Sequence, residues 1–254
     1  MKELLPRTKK TSSRIVSVVP SQTELLFDLG LNEEVVGITK FCIHPHVWFK
    51  TKQRVGGTKT LNLDKIRELN PDLILANKEE NTQEQIEALQ QEFNVYLSEI
   101  STISEAQDMI LDIGQLVDRE EKANQLVDQI KILQHNQVAF STILSAVYLI
   151  WQYPYMVAGV DTFIHDMMKN AGFQNVIHDT RYPIIEIEAI QRLEPDVVLL
   201  SSEPFPFKQK HVDELQYLLP HSKVICVDGE LFSWYGSRML KAFDYFRSLH
   251  ESLS

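Results

Sequence analysis

The feature of this sequence that most restricts its fold is a helix–turn–strand pattern written twice, about half the chain apart. Residues 63–77 read LDKIRELNPDLILAN, and residues 187–201 read IEAIQRLEPDVVLLS. Aligned without a gap, the copies share an acid near the start, Asp64 or Glu188, and a Pro-Asp pair before the strand. Proline lacks an N–H and disfavours the helical conformation for the residue before it, so it ends each helix. The repeat predicts two lobes of similar plan. The alternative is a chance similarity of two amphipathic helices that precede buried strands.

Strand and helix patterns alternate around each copy of the repeat. The alternation begins at RIVSVV (14–19) and restarts at TILSAVYLIW (142–151), with helical spacing between successive strands. It predicts an α/β fold of two Rossmann-like lobes with parallel sheets, joined by one long rigid α-helix. The predicted boundaries are an N-terminal tail at 1–13, an N-terminal lobe at 14–115, the linking helix at 116–141 and a C-terminal lobe at 142–254.

Three local features are predicted from the same patterns. Ser21 is an expected helix N-cap, with Glu24 three residues later as in a capping box. Residues 41–58 read as a loop, and Gly172 is expected just after the end of a helix.

Composition and charge exclude several classes of protein. The chain has 254 residues, 44% of them hydrophobic, and a net charge of −10, which argues against a nucleic-acid partner. Its two cysteines, Cys42 and Cys226, are too few for a disulfide framework. No apolar run approaches the roughly 20 residues of a membrane helix. The first residues also lack the apolar run of an export signal, which favours a cytoplasmic location unless a leader was removed.

Several segments resemble the substrate-binding proteins of ABC importers for vitamin B12, ferric siderophores and haem, the class with one rigid helix between its lobes. They are RIVSVVPSQTELLFDLG, GGTKTLNLDKIRELNPDLILA, YPIIEIEAIQRLEPDVVLLS and the bridging helix. The resemblance covers nearly the whole chain from Arg14 and is greatest for the vitamin B12-binding branch. It implies a monomeric, non-enzymatic protein of the periplasm or cell surface, without a catalytic cofactor. Its ligand would be a corrinoid such as cobalamin, or a ferric siderophore or haem, delivered to an ABC importer permease.

The resemblance places the ligand in a cleft between the lobes, at the loops that follow the strands. Flat aromatic side chains suit a large, partly apolar macrocycle, although each aromatic residue also fits a packing role. The chain departs from the B12-binding pattern at Thr58, near which that branch has a tryptophan. The predicted ligand-binding residues are Phe41, Cys42, His44, Thr58, Trp151, Tyr153, Tyr182, Phe232, Trp234 and Tyr235.

The resemblance also implies that one acid on each lobe docks into arginine pockets of the permease. The matching positions are Asp64 and Glu188. Two carboxylates on one rigid body suit a symmetric partner. Both are also first-turn acids that the helix dipole favours, and this role is compatible with docking.

Cys42 and His44 raise the possibility of a metal site, because thiolate and imidazole are metal ligands. In an extended loop, side chains at positions i and i+2 point the same way, so both could reach one ion. A full site needs about four ligands, which Glu79, Glu80 or a bound chelate would have to complete. The alternative is a buried cysteine beside a histidine that is hydrogen-bonded to the backbone.

Two other classes of function are open to the sequence. One is a cytoplasmic carrier or sensor for a cofactor or metal, built on the same scaffold. The other is an enzyme in which Cys42 and His44 form a nucleophile–base pair. The sequence contains no G-x-S-x-G, P-loop or G-x-G-x-x-G motif that would support catalysis.

Overall fold

The computed structural model describes residues 12–137, 140 and 142–253. Most of the predicted tail (1–13) and three positions near the end of the predicted linking helix (116–141) lie outside the described residues. The chain divides into two compact units. Unit 1 comprises the described part of Met1–Ile100, Ser104–Gln129 and Tyr235–Ser237, and unit 2 comprises Ser101–Ile103 with the described parts of Ile130–Trp234 and Arg238–Ser254.

The centre of unit 1 is a parallel sheet of five strands in the order β3-β2-β1-β6-β7. Its central strands are fully buried, in keeping with their β-branched and leucine-rich sequences. A separate antiparallel hairpin, β4–β5, follows β3. The strands are β1 (Ile15–Ser17), β2 (Val35–Ile38), β3 (Gln53–Arg54), β4 (Gly56–Gly57), β5 (Thr60–Leu61), β6 (Leu73–Asn77) and β7 (Val95–Ser98).

The first six helices lie in this half of the chain. They are α1 (Pro20–Asp28), α2 (His46–Thr51), α3 (Leu63–Leu69), α4 (Gln83–Gln90), α5 (Ile103–Leu116) and α6 (Glu120–His135).

Two of these helices correct local predictions. Helix α1 begins at Pro20 with Val19 at the cap position, so the predicted N-cap at Ser21 is wrong. Proline suits the first helical position because its fixed φ matches the helix and its missing N–H has no partner there anyway. Helix α2 lies within the stretch that was predicted to be loop.

The predicted linking helix, 116–141, differs from the observed one at both ends, because α6 begins at Glu120 and ends at His135. Helix α5 ends at Leu116 and α6 begins at Glu120, because Asp118 takes a positive φ of 57° and breaks the run. The N–H of Arg119 donates to the carbonyl of Gly114 at 2.7 Å. Gly114 also lets the two helices approach, since a Cβ there would lie 2.3 Å from Cβ of Ala123.

Unit 2 contains a second parallel sheet in the order β10-β8-β11-β12, with β9 added antiparallel to β8. The predicted α/β class with parallel sheets is therefore confirmed. Gly172 follows α7 with a φ of 80°, as predicted. The elements are β8 (Leu144–Trp151), β9 (Met156–Val157), α7 (Phe163–Asn170), β10 (Phe173–Asn175), α8 (Ile187–Leu193), β11 (Val197–Ser201), α9 (Gln209–Leu218), β12 (Lys223–Val227), α10 (Gly229–Ser233) and α11 (Met239–Glu251).

The repeated sequence forms the same structure in both units. Helix α3 leads into β6 in unit 1, and α8 leads into β11 in unit 2. Each helix ends on a left-handed residue, Asn70 or Glu194, with a φ of 44° in both cases. The matching isoleucines, Ile66 and Ile190, are completely buried.

The aspartate of each Pro-Asp pair holds the start of the neighbouring strand. Asp72 accepts hydrogen bonds from the backbone N–H groups of Ser13 (2.9 Å) and Arg14 (3.0 Å), directly before β1. Asp196 accepts hydrogen bonds from the N–H (2.7 Å) and hydroxyl (2.6 Å) of Ser145, at the start of β8. These bonds from Ser145 lower the pKa of Asp196. We call this arrangement the aspartate clasp.

Within the described residues, no helix combines the length and apolar character that crossing a lipid bilayer requires.

Candidate functional site

In parallel α/β sheets, ligands bind at the loops that follow the carboxyl ends of the strands. In unit 1, Phe41 is in the loop after β2, and its ring is 51% exposed. The ammonium of Lys40 lies 5.0 Å from the centre of that ring. The N–H of Lys40 donates to the carbonyl of Gly56 at 2.8 Å, so this loop packs against the β4–β5 hairpin. Thr58, in the same hairpin, is buried, and its carbonyl accepts a hydrogen bond from the amide of Asn81 at 3.0 Å.

Cys42 has the surroundings of a structural thiol. Its side chain is fully buried, and its sulfur lies 3.1 Å from the hydroxyl oxygens of both Thr23 and Thr39. Its N–H donates to the carbonyl of Thr39, so the chain turns here. The metal prediction had assumed an extended segment. Burial raises the pKa of the Cys42 thiol, whereas a metal ligand or nucleophile needs a thiolate.

The prediction that Cys42 and His44 share a metal ion is therefore not supported by the local geometry. His44 is only half-buried, on a backbone that has already turned away from the extended form. Among the described residues, no three His, Cys, Asp or Glu side chains are grouped closely enough to hold a metal.

Tyr235 belongs to unit 1 although it is late in the sequence. It is buried, with the hydroxyls of Ser21 and Ser98 close to its own. The Ser98 hydroxyl accepts hydrogen bonds from the amides of Gln22 (2.7 Å) and Asn77 (3.1 Å). Burial raises the pKa of Tyr235 well above its ordinary value. Tyr235 therefore lies beside a buried polar network at the carboxyl ends of β6 and β7.

In unit 2, exposed aromatic rings gather at the end of β8. Trp151 is 40% exposed, and its ring stands edge-on to that of Phe205 with centroids 5.6 Å apart. The N–H of Phe205 donates to the carbonyl of Ile150 at 3.3 Å, which fixes the loop after β11 beside β8. Tyr153 is 73% exposed, and its ring lies 6.1 Å from that of Tyr155. This aromatic group exposes apolar ring surface to a ligand.

Phe232 corrects the predicted site. It was assigned to a ligand loop, but residues 229–233 form the short helix α10 and Phe232 is completely buried. Its ring packs 5.1 Å from that of Tyr148 and 4.7 Å from that of Phe246. Phe232 therefore belongs to the hydrophobic core of unit 2.

Trp234 is buried beside a half-buried carboxylate, Glu203, which the sequence analysis missed. The indole N–H of Trp234 and the hydroxyl of Ser233 donate to the same oxygen of Glu203, at 2.8 and 2.6 Å. The guanidinium of Arg238 lies 4.7 Å from the centre of the Trp234 ring and pairs with Glu230. A signal for this loop existed, because SEPFPF directly follows the buried strand β11.

Tyr182 lies half-buried in the loop that pairs with the segment after β9. Gly159 makes this pairing possible, since its N–H donates to the carbonyl of Arg181 at 2.8 Å. A Cβ at position 159 would lie only 2.0 Å from the carbonyl oxygen of Asp179.

Because Glu203 is partly buried, we expect the difference in stability between the native protein and a Glu203 variant to depend on pH. Burial raises the pKa of Glu203 above its unfolded value, so the folded protein holds this proton more tightly than the unfolded chain does. The stability that the proton supplies is complete below the unfolded pKa and is lost as the pH rises through the folded pKa. We expect Glu203→Gln, which keeps an acceptor oxygen, to have a higher Tm than the native protein at neutral pH.

Calorimetry across the acidic to neutral range would test this expectation. The Tm difference should shrink as the pH falls toward the ordinary carboxyl range, about pH 4. Glu68→Gln, on the exposed surface of α3, is the control that should show little change. A lower Tm for Glu203→Gln at neutral pH would mean that the hydrogen bonds from Ser233 and Trp234 outweigh the cost of burying the charge.

The two predicted docking acids occupy the same position, the second residue, of matching helices. Asp64 is highly exposed, with 88% of its side chain accessible, and pairs with Arg67 at 2.8 Å. Arg67 also pairs with Glu92 at 2.8 Å. Glu188 is exposed and forms no ion pair with any residue that the structure describes. The two carboxylates are therefore alike in position and different in charge environment.

Comparison with known proteins gives the family. The family model described as "Periplasmic binding protein" matches residues 15–216. The ABC transporter substrate-binding lipoprotein YvrC of Bacillus subtilis is 28% identical in an alignment that is 255 residues long with its gaps. The alignment covers 93% of this chain and 79% of that protein. A vitamin B12-binding protein of Vibrio vulnificus is 26% identical over 204 residues, which cover 74% of this chain and 71% of the relative.

A solved structure shares the fold. The periplasmic vitamin B12-binding protein BtuF of Vibrio cholerae superposes with a TM-score of 0.81 at 20% identity, covering 95% of this chain and 98% of that one. Because the family model matches well over half of the sequence, the chain belongs to the periplasmic binding protein family, as the resemblance in its sequence predicted.

Proposed function

We propose that the protein is the solute-binding component of an ABC importer and that it captures a metal-chelate cofactor. A corrinoid such as cobalamin is the first candidate ligand, with haem or a ferric siderophore next. The observation that carries the proposal is the exposed aromatic group at the end of β8, with Trp151 against Phe205 and Tyr153 beside Tyr155. Flat rings in loops at the carboxyl ends of parallel strands suit a large, partly apolar macrocycle.

The proposed ligand residues follow from exposure and position. In unit 1 they are Phe41, on the exposed side of its loop, His44 three residues later, and Thr58 in the β4–β5 hairpin that this loop packs against. In unit 2 they are Trp151, Tyr153 and Phe205 of the exposed aromatic group and the half-buried Tyr182 of the loop that pairs with the segment after β9. Cys42, Phe232, Trp234 and Tyr235 are buried and are better explained as packing and network residues.

Fluorescence titration of the purified protein with cyanocobalamin tests the proposal. We expect saturable quenching at submicromolar ligand, after correction for inner-filter absorption. Because Trp151 is exposed in the aromatic group, Trp151→Phe should lose much of the quenching signal. Tyr153→Ala should weaken binding by about tenfold, as loss of one aromatic anchor does. Ile143→Ser, an exposed apolar position just before β8, is the control.

Each outcome of the titration has a distinct meaning. Saturation with haemin and not with cyanocobalamin would keep the capture function and change the ligand. Saturation with neither probe, nor with a ferric hydroxamate, would overturn the proposed ligand class. Turnover of any of these compounds would contradict a pure binding function.

We also propose that Asp64 and Glu188 dock the protein onto its permease. Glu188→Ala is expected to lower ligand uptake more than Asp64→Ala does, because Asp64 already shares its charge with Arg67. The measurement is uptake of radiolabelled cobalamin by cells that contain the protein and its permease. Glu68→Ala removes another exposed acid from α3 and should leave uptake unchanged.

Ligand binding distinguishes docking from folding in these variants. Both docking variants should bind cyanocobalamin as the native protein does, since neither carboxylate belongs to the proposed ligand loops. Equal uptake by all three variants would contradict the docking role.

We place the protein outside the cytoplasm, since its relatives are named as periplasmic proteins or lipoproteins. Cell fractionation tests this, and recovery only in the cytosol would favour a cytoplasmic carrier on the same scaffold.

A further inference from the structure

One stretch of unit 1 has a charge opposite to that of the whole protein. Residues 35–63 contain no aspartate or glutamate, in a chain whose net charge is −10. The rest of the chain therefore carries an even larger excess of acids. The basic residues of the stretch are Lys40, Lys50, Lys52, Arg54 and Lys59.

None of these cations forms a salt bridge with a carboxylate of the residues that the structure describes, although Lys52 interacts electrostatically with Glu34. The ammonium of Lys52 donates to the carbonyl of Asn32 at 2.7 Å, and the guanidinium of Arg54 lies 4.5 Å from the centre of the Phe49 ring. Lys50 is exposed, in the last turn of α2. The positive charges of Lys50 and Arg54 therefore remain available to an anionic partner.

Exposed apolar side chains accompany these cations. Ile43 is 41% exposed and Val47 is 54% exposed. Val47 and Lys50 are three residues apart on α2, so they are neighbours on the surface of the helix. Apolar side chains with long basic side chains beside them are typical of segments that lie in a membrane interface. The apolar groups enter the headgroup boundary while the lysines reach the phosphates.

We propose that this basic face, formed by Ile43, Val47, Lys50, Lys52 and Arg54, binds the surface of a bilayer that contains anionic lipids. The exposed aliphatic groups can enter the headgroup boundary of a bilayer while the cations beside them contact its anionic phosphates. The cations are also distributed over a helix and an edge strand, α2 and β3, whereas a small anionic ligand needs cations that converge on one point.

Sedimentation with lipid vesicles tests the proposal on the whole protein. We expect binding to vesicles of equal parts phosphatidylcholine and phosphatidylglycerol, little binding to phosphatidylcholine alone, and weaker binding as salt is added. The double variant V47S/K50E should reduce partitioning by about tenfold or more. The matched control is K131E/I132S on α6, which makes the same changes of charge and apolarity at exposed positions and should bind as the native protein does.

Several results would overturn the proposal. One is the absence of vesicle binding, and another is equal binding to neutral and anionic vesicles. A third is an equal loss of vesicle binding in both double variants, which would mean that the total charge of the protein determines binding. Binding to polyglutamate without binding to vesicles would indicate an acidic protein partner instead. If V47S/K50E does not fold, as judged by circular dichroism, K50Q compared with K131Q serves the same purpose. Neither changed residue is a proposed ligand residue, so cyanocobalamin binding reports separately on the proposed function.

Discussion

Gly159→Ala is expected to destabilise unit 2 by about 2–3 kcal/mol, because the added methyl group meets backbone and not a movable side chain. The methyl carbon would lie 2.0 Å from the carbonyl oxygen of Asp179 and 3.1 Å from that of Arg181. The two segments are joined by hydrogen bonds from Gly159 to Arg181 (2.8 Å) and from Val160 to Asp179 (2.9 Å). Relieving the clash means breaking these bonds, which would leave the N–H of the buried Gly159 without its partner.

Urea unfolding measures this loss, and ligand binding measures its effect on the proposed site. The same displacement should move the loop that carries Tyr182, so we also expect weaker ligand binding by the folded variant. Thr180→Ala alters the same loop without adding volume and should change the free energy of unfolding by less than about 0.5 kcal/mol. An unfolding curve for Gly159→Ala that matches the native one would mean that the two segments can separate freely.

The second large effect is expected from the aspartate clasps. Asp72→Ala and Asp196→Ala should each lower the free energy of unfolding by about 1–2 kcal/mol, and the double variant by about the sum. Each substitution removes the acceptor for groups at the start of a central strand, Ser13 and Arg14 in one unit and Ser145 in the other. The two clasps share no residue, so their losses should be independent.

Asparagine and pH provide the controls for this prediction. Asp196→Asn keeps one acceptor oxygen and should lose less stability than Asp196→Ala. The pKa of Asp196 is lowered by its bonds from Ser145, so its ionised form stabilises the fold above the ordinary carboxyl pKa. That contribution is lost as the pH falls through the folded pKa, and the difference between Asp196→Asn and the native protein should shrink with it. Unchanged stability in the double alanine variant would mean that the clasps do not stabilise the fold.

The repeat illustrates what sequence periodicity can and cannot predict. The helices and strands of both copies were predictable, because apolar spacing and the Pro-Asp pair act over neighbouring residues. The clasp was not predictable, because the partners of Asp72 lie 58 and 59 residues away in the chain. The pattern indicated only that proline ends the helix, and it did not indicate which group the aspartate holds.

The candidate site shows the same limit. Trp151 and Tyr153 were predictable as aromatic residues at the end of a strand and in the loop after it. The burial of Cys42 and Phe232 was not, since it depends on Thr23 and on α11, which the chain brings close only when folded. Sequence spacing suggested a metal-binding geometry for Cys42 because it assumed an extended loop, and the hydrogen bond to Thr39 imposes a turn.

The clasps also bear on how small a self-sufficient fragment of this protein can be. The part that matches the family model, residues 15–216, begins just after the two residues that Asp72 holds. It stops before β12, which pairs along the whole length of β11, and before α11, whose Phe246 packs against Phe232. A protein trimmed to residues 15–216 would keep both copies of the repeat. It would lose the partners of Asp72 in unit 1 and the edge strand β12 in unit 2. We therefore expect a chain trimmed to residues 15–216 to be less stable than the full chain.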